Sequence, residues 1–585
     1  NENVLKYIGI PPVENYIHYR RLIWIGKIGR MPFSTAKNIG DFRAMRSAPS
    51  FDDILRLLLA SQVLLSTPGP TWSFSPMSVP PPPEPFRLGY VTDVEGNLEY
   101  FSRFCALSNV LDLHESPSGP FLTLRDGCHF VYGGDAVDRG PGDIRLCRAL
   151  ASLKRRHPDR VFLLVGNRDL NKLRLSAELS DDDLARTIDE IPPPHWDPSA
   201  PTLRAYLAEV ARSRGLPRPE DADSPAERLR YMLRHTLGCP DTFEFRREEL
   251  AVLRGVPVGS VGDGDVLRSF RREAGHPDGS LRGYLEAADV AAVVGHTLFV
   301  HGAADARTVG FVPRTDSRFE LPKRRPPPGR TCDGVHEWAS SLNAFLRAGL
   351  ADHRARPNWD PGRTTRGGEA LLALQNRAAM WGRSVVSNCY GDGGCVTSRG
   401  ALRRARDPDQ KEREAADPLA FESVCSDPRC PEAAAWLRRN GIRRVVVGHR
   451  PTGDCPAVLA AGATGVEIVS GGTSYADPGR GDGRGRAVAV LEVVGRSAED
   501  SRLEISGRLR SGEAYRSVFH RLHGDEIDET VGDGNLGVEL DDGYWVKAST
   551  AEHYHLCRGE GRKVEYSSVP IAEMATKLKK DQIRE

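Results

Sequence analysis

From Arg87 onward, short apolar runs alternate with abrupt polar turns. Five runs define the pattern: Leu88-Gly89-Tyr90-Val91, Phe130-Val131-Tyr132, residues 161–165, Leu298-Phe299-Val300 and Val445-Val446-Val447. They are short and rich in β-branched and aromatic residues, which predicts strands rather than helices. Each is followed at once by Gly, Asp, Asn or His. Between them, 205–212, 226–235, 335–346 and 369–383 carry helical patterning. Asp181-Asp182-Asp183 reads as a solvated helix start, not an ion site. After residue 487 strands and tight turns return. Asp533-Gly534-Asn535 and Asp541-Asp542-Gly543 punctuate hairpins, and Tyr544-Trp545-Val546-Lys547 and Lys563-Val564-Glu565-Tyr566 alternate.

At 585 residues the chain exceeds what one hydrophobic core usually supports. Three parts are predicted. An N-terminal extension covers 1–85 and ends in the proline-rich linker at 78–85. A main domain covers 86–495, with insertions at 170–289 and 316–440. A small β-rich unit covers 496–585 and closes on a charged helix. The segment RLIWIGKIGRM at 21–31 resembles the tail of a LINE-type reverse transcriptase, with Lys27 where a histidine usually stands. A basic amphipathic segment is the competing reading.

Lys and Arg number 80 against 79 Asp and Glu, a net charge of +1. That balance supplies no global field, so neither nucleic acid nor a membrane is expected as a partner. The longest apolar stretch, 54–65, contains Arg56 and Gln62 and is too short to cross a bilayer. The 11 cysteines lack zinc-ribbon spacing; Cys389 with Cys395 and Cys425 with Cys430 come nearest. Reduced thiols and a cytoplasmic location are expected. The first residue is Asn1, which reads as a fragment or a processed form.

Every predicted strand end carries a candidate ligand. In order these are Asp93-Val94-Glu95-Gly96-Asn97, Asp135 with Asp138 and Arg139, Gly166-Asn167-Arg168-Asp169, His301-Gly302-Ala303, and Gly448-His449-Arg450-Pro451. Ligands gather outside the carboxyl ends of strands in open α/β sheets. Carboxylates there can hold metal ions, and an arginine can hold a phosphate oxygen. GNRD alone would read as a turn, and a lone His after a strand as a satisfied core residue. GGDAVDRG is specific by itself, and five blocks in order are more so.

This ordered set, TDVEGN, GGDAVDRG, GNRD, FVHGA and GHRP, resembles the calcineurin-like metallophosphoesterases and, within them, the phosphoprotein (Ser/Thr) phosphatase branch. The resemblance covers roughly 86–170, 290–312 and 440–475. It implies an α+β fold, a four-layer αββα sandwich, here with large helical insertions and a small C-terminal β unit. It implies a hydrolase acting on phosphoric esters. Asp93, Glu95 and Asp135 would hold a first metal, and Asp135, Asn167, His301 and His449 a second, with Asp135 bridging. Two such ions can share a hydroxide and steer its in-line attack on phosphorus. Arg139 would clamp phosphoryl oxygens, and Asp138 would orient its neighbours. Arg168 and Asp169 join the catalytic set, and Arg168, Arg450 and Tyr390 the substrate-binding set. His296, before the fourth strand, is the rival to His301.

Two positions depart from the family pattern. The first block carries Glu95 where the family has histidine. Three carboxylates and no nitrogen would favour Mn²⁺ or Mg²⁺ at the first site, whereas the second could take Mn²⁺, Mg²⁺, Fe or Zn²⁺. Manganese is the expected metal. Arg168 stands where the family has its general-acid histidine, and arginine donates no proton at neutral pH. Losing that acid costs about 10²–10⁴-fold on alkoxide leaving groups. Two alternatives therefore stand beside a protein phosphatase: a nucleotide or dinucleoside-polyphosphate hydrolase, and a weakly active phosphate-binding scaffold. A phosphorylated protein or a small phosphoester is the expected substrate. Arg377, Trp381, Arg383, Asn388 and Tyr390, before Gly391-Asp392-Gly393-Gly394, form either a lip for it or a packed helix ahead of a glycine turn. The C-terminal unit is a candidate protein contact.

Overall fold

In the computed structural model, the described residues are 86–116, 119–193, 200–304, 308–316, 329–373, 431–449, 452–459, 461, 464–473, 484–524, 526–540, 542–560 and 563–582. The chain divides into units Asn1–Pro82 and Pro83–Glu585. The extension at 1–85, with both readings of 21–31, lies outside the described residues.

All five apolar runs form strands, and they are shared between two sheets. The first sheet holds β1 (Phe86–Val91), β4 (Cys128–Tyr132) and β5 (Val161–Leu163), which run parallel. On its other side β1 pairs antiparallel with β13 (Val488–Gly495), followed by β14 (Asp500–Arg508), β15 (Ala514–His523) and β16 (Glu526–Asp528). The second sheet has the order β11 (Ala457–Leu459), β12 (Glu467–Ser470), β10 (Arg444–Val447), β7 (Thr297–Val300), β6 (Ala291–Val294). Its three central strands are parallel, and every residue of β7 and β10 is buried. Continuous apolar runs are what parallel strands covered on both faces require.

Strand alternation sends successive side chains to opposite faces. Leu88, Tyr90 and Val131 of the first sheet share one hydrophobic cluster with Phe299, Val446 and Val469 of the second. The rings of Tyr90 and Phe299 stack at 5.9 Å between centroids. The alternate residues Phe130 and Tyr132 fall in another cluster with Leu146 and Leu150 of the helix Asp143–Arg156. Leu298, Val300, Val445 and Val447 fall there too, with Trp338 and Leu342 of the helix Val335–Ala355. Fully burying one such side chain contributes about 1.5–3 kcal/mol.

The described part of the 170–289 insertion is helical, as its periodicity predicts. Its longer helices are Leu203–Ser213, Thr242–Arg254, Asp263–Gly275 and Ser280–Ala287. The Ser180 hydroxyl caps the helix Asp181–Leu184 by accepting from the Asp183 amide. Two hairpins decorate the sheets: β2 (Leu111–His114) with β3 (Phe121–Leu124), and β8 (Phe311–Pro313) with β9 (Gly329–Thr331).

The C-terminal segment differs from its sequence reading. β14 to β16 extend the first sheet, and a further sheet of three strands follows them. It consists of β17 (Trp545–Ser549), β18 (His553–Glu560) and β19 (Lys563–Pro570), followed by the helix Ile571–Gln582. Strands after residue 487 are expected from sequence, but not the edge they join; that edge is β13, through eight paired positions from Val488 to Gly495.

Candidate metal centre

The loops leaving β1, β4, β5, β7 and β10 bring Asp93, Glu95, Asp135, Asp138, Arg139, Asn167, Arg168, His301 and His449 to one place. Their backbone is unusual. Asp93, Glu95, Asp135, Asp138 and His449 have φ of 53°, 53°, 54°, 117° and 66°. Among the described residues Arg363 is the one other non-glycine with positive φ. Such conformations cost about 1–3 kcal/mol each and persist only where the surroundings enforce them.

Here the enforcement is visible. The Asp93 amide donates to the Gly134 carbonyl at 2.9 Å, the Glu95 amide to the Asp135 carbonyl at 3.0 Å, and the Arg139 amide to the Glu95 carbonyl at 2.6 Å. Asp169, fully buried, accepts from the backbone amides of Asp135, Ala136 and Gly166 at 3.0, 2.7 and 2.8 Å. Its carboxylate therefore pins the β4 and β5 loops together instead of facing the pocket. Burial and the nearby Asp135 charge push the Asp169 carboxyl up to about 7, against the pull of those amides. Gly166 is needed because a Cβ there would fall on the Asp135 carboxylate.

Ligand atoms of Asp135, His301 and His449 lie within 4.8 Å of one another. His301 is completely buried, and its Nδ1 sits 2.7 Å from the Gly133 carbonyl. A proton on Nδ1 donates to that carbonyl and leaves the Nε2 lone pair facing Asp135 Oδ2 at 3.4 Å. Nε2 is buried without a hydrogen-bond partner. His449 Nδ1 lies 2.9 Å from Asn167 Oδ1, and the two imidazoles meet edge-on at 5.3 Å. One carboxylate, one amide oxygen and two imidazoles fit a divalent transition ion. The electrostatics also suit a cation. Burial opposes charge on both His301 and Asp135. Asp135 and Asp93 nevertheless raise His301 to about 9, and His301, Arg168 and His449 hold Asp135 well below the usual carboxylate range.

The side toward Glu95 is different. The Glu95 carboxylate meets three guanidinium groups: Arg168 Nε at 2.6 Å, Arg484 Nη2 at 3.5 Å and Arg139 Nε at 3.6 Å. Arg168 Nε is also 3.7 Å from Asp135 Oδ2, and its Nη1 is 3.3 Å from Asp138 Oδ2. Lys172 Nζ donates to the same Asp138 oxygen at 2.7 Å. Asp93 accepts from the His449 amide at 3.1 and 3.0 Å and from the Thr92 hydroxyl at 2.6 Å. Burial, and then the neighbouring Asp135 and Glu95, push Asp93 up to about 6 despite the nearby His301.

His296 is not part of the cluster. It sits on the β6–β7 turn, before the strand, with Nδ1 2.6 Å from the Gly441 carbonyl. Arg450 and Tyr390 lie outside the described residues, as do Arg377, Trp381, Arg383 and Asn388. Lys172 and Arg484 belong to the site and were not read from sequence. Lys172 had a signal, since it follows Arg168 by four residues, one helical turn. Arg484 had none, in a Gly- and Arg-rich stretch without periodicity. It is 1% exposed, lies over the Tyr100 ring at 4.6 Å and donates to the Asp93 carbonyl.

Elsewhere, Asp454, Cys455 and His555 also approach within 4.8 Å. Among the described residues no helix is long and apolar enough to cross a membrane.

No family model and no curated protein matches the chain. Among solved structures, it is similar to the cold-active protein-tyrosine phosphatase of a psychrophilic Shewanella species. The identity is 14%, the match covers 74% of this chain and 80% of that one, and the TM-score is 0.32. It is also similar to a protein serine/threonine phosphatase from Saccharomyces cerevisiae. There the identity is 11%, the coverage 70% and 73%, and the TM-score 0.26.

Proposed function

We propose that this chain is a metal-dependent phosphoesterase built on a four-layer αββα sandwich. The observation that carries the reading is the convergence of Asp135, Asn167, His301 and His449 from four strand ends on one donor set, with Asp135 and His301 buried and Asn167 and His449 half-buried. The layer assignment is supported by the core shared between the two sheets and by helices packed with their outer faces.

Those four residues would hold a divalent ion, and Mn²⁺, Fe²⁺ and Zn²⁺ all suit mixed nitrogen and oxygen donors. Bound there, the ion supplies Lewis acidity and a water of lowered pKa. The protein's own residues do the rest. Gly133 fixes the His301 tautomer, and Asp169 holds the Asp135 loop. Arg139 and Arg168 would balance charge on a phosphoryl group. Asp138 is already engaged by two permanent or near-permanent cations, Arg168 and Lys172.

That last pairing favours a narrower substrate class. Arg168 cannot release a proton at neutral pH, so aryl phosphates and phosphoanhydrides should be better substrates than alkyl phosphates. A dinucleoside-polyphosphate or nucleotide hydrolase is the second reading, and it rests on Arg168 alone.

The test uses the purified full chain with Mn²⁺ on p-nitrophenyl phosphate, a phosphoserine peptide and a dinucleoside polyphosphate. Turnover is expected on the first and third. Asp135→Asn and His301→Ala should each abolish it while leaving the circular dichroism spectrum intact. No turnover on any of the three, with metal confirmed bound, would leave only the scaffold reading.

A further inference from the structure

The family pattern asks for two metal ions, but the first set of donors does not fit one. Its members would be Asp93, Glu95 and Asp135. Glu95 Oε1 already forms an ion pair with Arg168 Nε at 2.6 Å. The same nitrogen lies 3.7 Å from Asp135 Oδ2, so one guanidinium spans two of the three required carboxylates. The other Glu95 oxygen faces Arg139 and Arg484 at 3.6 and 3.5 Å. Both Asp93 oxygens accept from the His449 amide.

Cations therefore surround the place where a first ion would bind. Arg168 is held there from several sides. Its backbone amide donates to Asp135 Oδ1 at 2.9 Å, its Nη1 reaches Asp138, and its carbonyl accepts from Lys172 at 3.3 Å. A guanidinium also stays charged over the whole physiological range, so titration does not vacate the position.

We infer that the Arg168 guanidinium takes the place of the first metal ion, so that the centre binds a single divalent ion at Asp135, Asn167, His301 and His449. Arg168 thereby supplies a fixed positive charge beside Asp135 where the two-ion arrangement would have a second Lewis acid. This inference rests on the proposed metal-dependent activity, but it is read out by stoichiometry and not by turnover.

The full chain is stripped with chelator, reloaded with excess Mn²⁺, desalted and analysed for metal per chain, with electron paramagnetic resonance on the same sample. One ion per chain and an uncoupled Mn²⁺ spectrum are expected. Two ions with an exchange-coupled spectrum would overturn the inference and leave the metal-dependent reading intact. No bound ion would overturn both. Arg168→Gln removes the charge and should raise the stoichiometry to two, whereas Arg168→Lys keeps it and should stay at one. A folded Arg168→Gln protein that still binds one ion would show that the guanidinium is not what excludes the second. If that variant fails to fold, the count on the unmodified chain decides alone.

Discussion

Replacing Arg168 by histidine separates the two roles that position can play. In the structure Arg168 pairs with Glu95 at 2.6 Å and with Asp138 at 3.3 Å. Removing it leaves Glu95 with Arg139 and Arg484 at 3.6 and 3.5 Å, and Asp138 with Lys172 at 2.7 Å. Neither carboxylate is stranded, so the stability cost should be that of a hydrogen bond between charged groups, about 1.5–3 kcal/mol. A histidine here would face Asp138, whose charge raises the imidazole pKa and keeps it a proton donor at neutral pH. General-acid help is worth about 10²–10⁴-fold where the leaving group is an alkoxide and little where it is an aryl oxide or a phosphate. The kcat/KM ratio for a phosphoserine peptide over p-nitrophenyl phosphate should therefore rise by at least about 10²-fold. Arg168→Gln is the control, since it removes the same charge and adds no acid; its ratio should stay near that of the parent. An Arg168→His protein that is folded and metal-loaded, yet shows the parental ratio, would refute the assignment of the missing proton donor to this position.

Three further outcomes are expected. Gly166→Ala puts a Cβ onto the Asp135 carboxylate and should weaken metal binding at least tenfold by titration calorimetry, with little change in far-ultraviolet circular dichroism. Glu178 is half-buried, and the desolvation alone would raise its pKa, but Arg174 and Arg366 hold it at about 2. Because the folded pKa lies below the unfolded one, this group stabilises the fold above about pH 4.5 and loses that contribution as the pH falls toward 2. Glu178→Gln should cost roughly 2–3 kcal/mol at pH 7 and flatten the acid limb of the urea-midpoint curve. His555 Nε2 meets Asp454 at 3.0 Å and links β18 to the loop after β10; His555→Ala should speed proteolytic cleavage within 526–585 while leaving the rest of the chain protected.

The elements that carry the site were legible because their apolar runs are continuous and end in residues with strong chemical preferences. β4 and its GGDAVDRG turn are the clearest case: burial on both faces forces the run, and the turn needs Gly134 at a φ of 97° beside His301 Nδ1. His301 and His296 were separable by their sides of the strand, and β7 places them at opposite ends. Sheet membership was not legible. Nothing in the strand pattern after residue 487 distinguishes a free-standing unit from an extension of β13, because strand periodicity encodes faces and not neighbours. Long-range ion pairing was equally hidden. Arg484 lies 389 positions from Glu95, and no local pattern marks an arginine that will be buried against a ring and a carbonyl.

Glu95 and Arg168 appear in the sequence as two unrelated departures, one altering a metal site and the other removing an acid. In the structure they are a single ion pair 2.6 Å apart. Apart, each keeps only longer contacts: Glu95 with Arg139 and Arg484 at 3.6 and 3.5 Å, and Arg168 with Asp138 and Asp135 at 3.3 and 3.7 Å. Introduced together they cancel, and the pair then excludes what it replaced. A divalent ion ligated to Glu95 would stand about 4 Å from the Arg168 nitrogen that shares its oxygen, allowing for an ordinary metal–oxygen bond. Repulsion between charges of +2 and +1 at that separation is roughly 8 kcal/mol at an effective dielectric of about 20. Structural zinc sites gain only about 10–16 kcal/mol in total, so most of the affinity of a first ion would be lost. Swinging the guanidinium away would relieve that repulsion only by giving up Asp138 and the approach to Asp135. On the proposed reading the proton donor and the first metal site are lost for the same physical reason, and a variant that restores one should make room for the other.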